Sequence, residues 1–127
     1  KNKQVLINEI APRVHNSGHH TLQSSKTSQF EQHLRAILGL RLESTDLIHP
    51  TIMYNILGPK DFKGRYKTPT INFDNAFLKM YEKTESKPKR KIGHVNLVDQ
   101  DNIGIDELLV NMNKLQESII IEPDGTK

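Results

Sequence analysis

Cysteine and tryptophan are absent from the 127 residues, and aromatics make up only 6% of them. Without cysteine there is no disulfide, no thiolate zinc site and no thiol nucleophile. With so few rings the core has to be lean and aliphatic. At this length the chain suits one ordinary domain or two small pieces. No apolar run approaches about 18 residues, which excludes a spanning helix; no membrane partner is expected. The opening Lys1-Asn2-Lys3-Gln4 lacks a signal peptide's apolar centre, so a cytoplasmic protein is expected. The start at Lys1 rather than methionine fits a piece of something longer. Excess charge is also small, Lys+Arg 18 against Asp+Glu 15. That balance suits anionic small molecules as well as nucleic acid and chooses neither.

What is present reads as short alternating elements. Val5 to Ala11 is a short apolar run closed by Pro12, which cannot donate to a ladder, and predicts a buried strand. Residues 12–22 form a loop, with Asn16, Ser17 and Gly18 supplying turn chemistry. Ser25 or Thr27 is expected to cap a helix over 28–38, where Phe30, Leu34, Ile37 and Leu38 share one face and Gly39 is the stop. Beyond a boundary near 40–50, residues 52–57 predict a strand ended by Gly58-Pro59, and 60–75 a long exposed loop. Residues 77–83 alternate as a strand, Phe77, Lys79 and Tyr81 on one side, Leu78, Met80 and Glu82 on the other. A charged turn over 84–89 leads to a strand at 91–98. A helix capped by Asp101 or Asn102 follows, with Ile105, Leu108, Leu109, Met112 and Leu115 on its apolar face. Residues 118–122 read as a last short strand and 123–127 as a frayed tail.

Chemistry concentrates in Asn8-Glu9-Ile10-Ala11-Pro12-Arg13-Val14-His15-Asn16-Ser17-Gly18-His19, where polar groups sit at the mouth of an apolar run. Glu9 offers the hard oxygen that Mg²⁺ takes, usually together with phosphate oxygens. An isolated Asn-Glu pair is more often just a solvated strand end. Arg13 and His15, two apart, project to the same side if the loop is extended. A guanidinium fork matches a small oxyanion such as bicarbonate, and an imidazole handles a proton near neutral pH. The spacing alone equally allows a surface pair that stabilises the loop. His15, His19 and His20 invite a zinc reading, but such a site needs three or four convergent ligands and this spacing more often means solvated imidazoles.

The wording of this stretch resembles that of the ATP-grasp enzymes that carboxylate aminoimidazole ribonucleotide in purine biosynthesis. These are the N5-carboxyaminoimidazole ribonucleotide synthases, or the synthase half of fungal phosphoribosylaminoimidazole carboxylase. A second patch is Tyr81-Glu82-Lys83 through Lys87-Pro88-Lys89-Arg90-Lys91-Ile92-Gly93-His94. Read by itself it is a solvated charge run or a weak nucleic-acid contact, though without the aromatic platform of an RNA binder. It too resembles that family, whose C-terminal signature is Tyr-Gly-Lys followed by Arg-Pro-x-Arg-Lys-x-Gly-His. Glu82 stands where relatives often carry glycine, and Lys87 where they often carry arginine.

The resemblance implies a C-terminal part of such a ligase, inactive by itself, in an α+β fold. Residues 1–43 would end an ATP-grasp domain, and 44–127 would form a small β-rich, barrel-sandwich-like domain with a terminal helix. Glu9 and Asn8 would serve Mg²⁺ and ATP, Arg13 and His15 bicarbonate, and Lys83 and Arg90 the ribonucleotide, a hairpin bringing the last two together. A homodimer is expected, since an unpaired apolar strand over 5–11 promotes association, and nucleic acid is not expected as a partner. Two other readings stand beside this one. One is a carrier module, since biotinyl and lipoyl domains share that architecture, although Lys79-Met80 imitates the modified lysine poorly. The other is a basic nucleic-acid module built on 83–91.

Overall fold

The computed structural model describes residues 6–125. Three strands, β1 (Thr51–Leu57), β2 (Ala76–Met80) and β3 (Lys91–Val98), form an antiparallel sheet in the order β1-β3-β2. Helices α1 (Thr21–Ser24) and α2 (Gln29–Ile37) precede it, and α3 (Ile105–Ser118) follows. The fold is mixed α/β.

The central strand shows how the layers are arranged. Every residue of β3 after Lys91 is buried. Val95 and Leu97 pack with Leu108, Met112 and Leu115 of α3. The alternate residues His94 and Asn96 point the other way, to His19 and Gln23 in the N-terminal segment. A strand exposes alternate side chains to opposite faces, so β3 is covered on both only because a helix lies on one and a polar loop on the other. Gly93 has no room for a side chain, since a Cβ there would lie 2.7 Å from both the Lys79 carbonyl and Met80 Sδ.

Several elements differ from the sequence reading. No strand forms over the described part of 5–11; Leu6, Ile7 and Ile10 are 81, 88 and 83% exposed, and Val5 lies outside the described residues. An apolar run becomes a strand only beside a partner ladder, and none of the described strands lies against it. Helix α2 is capped by Ser28, whose hydroxyl accepts from Glu31 N at 3.2 Å, rather than by Ser25 or Thr27. Ser25 is instead bridged to Leu47. The apolar face of α2 is not buried either, since Leu34, Ile37 and Leu38 are all exposed. Gly39, at φ +67°, does end this helix. Strand β2 stops at Met80, and Glu82 turns left-handed at φ 52°.

Helix α3 begins after Gly104, not Asp101 or Asn102. The Asp99 carboxylate reaches forward to accept from Ile103 N (2.9 Å) and Gly104 N (3.1 Å), satisfying donors just before the helix. Of its expected face, Ile105 and Leu109 remain exposed. Residues 118–122 form no strand. The tail at 122–124 is nonetheless tied to 65–67, by Lys67 N to Glu122 O (3.0 Å) and Asp124 N to Arg65 O (2.9 Å).

Candidate active site at the loop–sheet junction

The loop before α1 brings Glu9 and His15 face to face, with 3.5 Å between Glu9 Oε1 and His15 Nε2. On the other side of the ring, Nδ1 accepts from Ser17 N (3.3 Å) and meets the Ser17 hydroxyl at 2.8 Å. An Nδ1 that accepts leaves the proton on Nε2, aimed at the carboxylate. Arg13 is exposed, holds the Val14 carbonyl at 3.1 Å, and lines an open cleft of about 560 Å³ together with Pro12, Gln29 and His33. Asn8 is exposed on the same segment. Asn8 and Glu9 therefore present hard oxygens to solvent. Among the described residues no group of three or more His, Cys, Asp or Glu could hold a metal ion. A divalent cation here would take Glu9 as one ligand and need phosphate oxygens or other carboxylates to complete its shell. The residues fit Mg²⁺ on a nucleotide in that limited sense.

The peptide of His15 is clamped. Gln29 Oε1 accepts from His15 N (2.9 Å) while Gln29 Nε2 donates to His15 O (2.8 Å), so one side-chain amide pairs with both backbone groups. The same nitrogen meets His19 Nδ1 at 2.8 Å, and a Cβ on Gly18 would strike this amide at 2.5 Å. His20 is engaged separately, Nδ1 to the Ser24 hydroxyl at 2.8 Å.

From this loop a polar network crosses to the sheet. Asn16 Nδ2 donates to Asn55 Oδ1 on β1 (2.8 Å), and Lys91 Nζ on β3 donates to Asn16 Oδ1 (2.7 Å). The Asn16 amide lies near the Tyr81 hydroxyl, which meets His94 Nδ1 at 2.9 Å. His19 stacks on Phe30 with ring centroids 5.3 Å apart and lies 5.0 Å from the His94 ring. Burial, then the neighbouring His19 and Lys79, hold His94 down at about 4, so it stays a neutral acceptor for Tyr81. His19 is also lowered, by burial first and then by His15 and Lys91. Burial raises Tyr81, partly offset by the nearby Asn16 amide.

Lys83 and Arg90 lie on the connection between β2 and β3, beyond the Tyr81 N to Ile92 O bond (2.8 Å). Both are exposed. Burial raises Tyr66, partly offset by the nearby Arg90 guanidinium and the backbone of Lys83. Arg90 Nη1 also holds the Glu85 carbonyl at 3.3 Å. Lys79 lies inside β2, paired with His94 in the ladder, and not at the tip of a hairpin where a carrier lysine would be presented.

Sequence reasoning assigned no role to Asn16, Gln29, Asn55, Tyr66 or Asn96. Asn16 was read as turn chemistry, and polar residues on strands normally face water. Tyr81 and His94 were within the quoted signature but without a part to play. Alternation gave no signal, since each shares its face with apolar residues, Tyr81 with Phe77 and His94 with Ile92 and Val98.

Two family models match, one on each side of this junction. Residues 1–30 match the ATP-grasp domain, and residues 51–107 match the phosphoribosylaminoimidazole carboxylase C-terminal domain. The chain is homologous to N5-carboxyaminoimidazole ribonucleotide synthases and matches their C-terminal region. It is 42% identical over 118 residues to the enzyme of that name from Saccharolobus solfataricus, covering 93% of this chain and 30% of the relative. It is 51% identical over 98 residues to that of Aquifex aeolicus, covering 77% and 26%. The crystal structure of the synthetase from Thermotoga maritima superposes with a TM-score of 0.83 at 38% identity, covering 95% of this chain and 34% of that one. The Aspergillus clavatus synthase in complex with ADP and 5-aminoimidazole ribonucleotide superposes with a TM-score of 0.65 at 32% identity, over 83% and 28%. The chain thus spans about a third, or less, of the relatives it matches.

Proposed function

We propose that this chain forms the bicarbonate- and ribonucleotide-facing part of an ATP-dependent ligase that makes N5-carboxyaminoimidazole ribonucleotide from 5-aminoimidazole ribonucleotide, ATP and bicarbonate. The observation that carries this is the contact of Asn16 with Lys91. It joins the loop bearing Glu9, Arg13 and His15 to the sheet next to Arg90, so the two matched motifs meet at one place.

Glu9 and Asn8 would hold the metal–nucleotide, and Mg²⁺ when bound would neutralise phosphate charge during phosphoryl transfer to bicarbonate. The Arg13 fork suits the oxygens of bicarbonate and of its phosphorylated form. His15 Nε2, oriented by Gln29 and Ser17, carries a proton beside them. Lys83 and Arg90 would hold the ribonucleotide phosphate, a dianion that wants two cations, while the substrate amine bonds to the activated carboxyl carbon, phosphate leaves from it and the amine gives up a proton. Catalysis of this kind is largely positioning and charge neutralisation.

Glu9→Gln in a complete enzyme containing this chain tests the reading. Gln keeps the shape and removes the charge that holds magnesium, so turnover should fall by orders of magnitude with the fold intact. Near-normal turnover would show that Glu9 has no part in the reaction. This reading also takes 1–43 as the end of an ATP-grasp domain and 44–127 as a reduced barrel-sandwich domain. It further takes the protein to be cytoplasmic and homodimeric. Exposed Leu6, Ile7 and Ile10 support association, which sedimentation equilibrium measures; a monomer at micromolar concentration would refute it. Among the described residues no helix is long and apolar enough to cross a membrane.

A further inference from the structure

We propose that Asn16 is a positioning residue whose side chain latches the Arg13–His15 loop onto the sheet and so sets the bicarbonate site in register with the ribonucleotide site. The inference rests on the function proposed above and deepens it. Asn16 belongs to the loop, yet its hydrogen-bond partners belong to the sheet: Asn55 on β1 and Lys91 on β3. Its side chain thus ties the loop to two neighbouring strands at once.

The amide is suited to this in a way that no shorter or charged side chain is. Its oxygen takes the Lys91 ammonium and its nitrogen donates to the Asn55 side-chain oxygen. Beside it Tyr81 meets His94, whose ring lies against His19, and His19 meets the Gln29 amide that clamps the His15 peptide. His15 is therefore held from two sides, by Gln29 within the N-terminal segment and through Asn16 by the sheet. Asn16 sits one residue beyond His15 and its partner Lys91 one residue beyond Arg90. Movement of the loop away from the sheet would thus separate the groups proposed to hold the two substrates. An activated carboxyl species is short-lived in water, so such a separation shows as wasted ATP rather than as weaker ATP binding.

The test uses a complete enzyme containing this chain, with Asn16→Ala and Asn16→Asp. Two quantities are read: ADP released per N5-carboxyaminoimidazole ribonucleotide formed, and amide hydrogen exchange over residues 14–19. Asn16→Ala should raise the ADP-to-product ratio several-fold while leaving the KM for ATP unchanged. It should also speed exchange in the loop by about tenfold or more, the scale of losing one charge-assisted hydrogen bond. Asn16→Asp keeps an acceptor for Lys91 and loses the donor to Asn55, so it should fall between wild type and alanine on both readouts. Faster exchange with unchanged coupling would make the latch merely structural and overturn the proposal. Lost coupling with unchanged exchange would overturn it too, since Asn16 would then act by touching substrate. If the wild-type enzyme makes no product from these substrates, it is the function proposed above that fails, a result recognisable before any variant is made.

Discussion

His94 offers a quantitative test of the junction that needs no substrate. Its ring is 3% exposed and held at about 4, against 6.5 for an ordinary histidine. In the folded chain it is neutral down to that value, whereas in the unfolded chain it takes a proton through pH 6.5. The unfolded state therefore binds more protons between those limits, and stability must fall as pH falls from about 6.5 to about 4, then level off. At pH 4.5 this one residue should cost on the order of 2–3 kcal/mol relative to pH 7.5. His94→Asn removes the titration while placing a carbonyl oxygen roughly where Nδ1 accepts from Tyr81. Urea unfolding of both proteins at the two pH values, followed by circular dichroism, provides the comparison. Acidification should lower the wild-type midpoint by roughly 1–2 M more than the variant's, with a slope of a few kcal/mol per molar. His19, lowered for similar reasons, leaves a smaller residual slope in the variant. The variant will be weaker at pH 7.5 because the ring is lost, so the decisive quantity is the difference in slope. Parallel pH profiles would show that the His94 ring is not desolvated as described.

Arg90→Ala should raise the KM for aminoimidazole ribonucleotide by about ten- to a hundredfold, the scale of one charge-assisted contact, with little change for ATP. Arg13→Ala should instead lower kcat, and steady-state kinetics with each substrate varied separates the two; an unaltered ribonucleotide KM for Arg90→Ala would return the basic hairpin to a solvated face. Leu108→Ala, in the centre of the contact between α3 and β3, should cost about 2–5 kcal/mol in denaturant unfolding. A loss under 1 kcal/mol would mean that this core is less close-packed than its zero exposure implies.

Much of the chain was legible locally. The strand at Lys91–Val98 and the stop at Gly39 follow from apolar runs and a left-handed glycine, which depend on near neighbours only. Helix caps were harder. Asp101 and Asn102 stand closer to α3, yet Asp99 accepts from the two amides before it, and which carboxylate does so depends on how the chain leaves β3. Lys83 and Arg90 stand in one charged run, but Tyr66, which the Arg90 guanidinium and the Lys83 backbone both influence, arrives from a loop that carries no periodic signal.

The sequence by itself determined which groups stand together along the chain, Asn8, Glu9, Arg13 and His15 in one run and Lys83 and Arg90 in another, because each run is short and contiguous. Only the tertiary structure decided that Asn16, next to the first run, contacts Lys91, next to the second. The junction is made by Asn16, Asn55, Tyr81, Lys91 and His94, polar residues from distant parts of the chain whose individual positions read as turn or solvent-facing strand. The same holds for the strand that did not form over the described part of residues 5–11. Hydrophobic alternation states a capacity to pair, and the backbone becomes a strand only where another strand offers the hydrogen bonds.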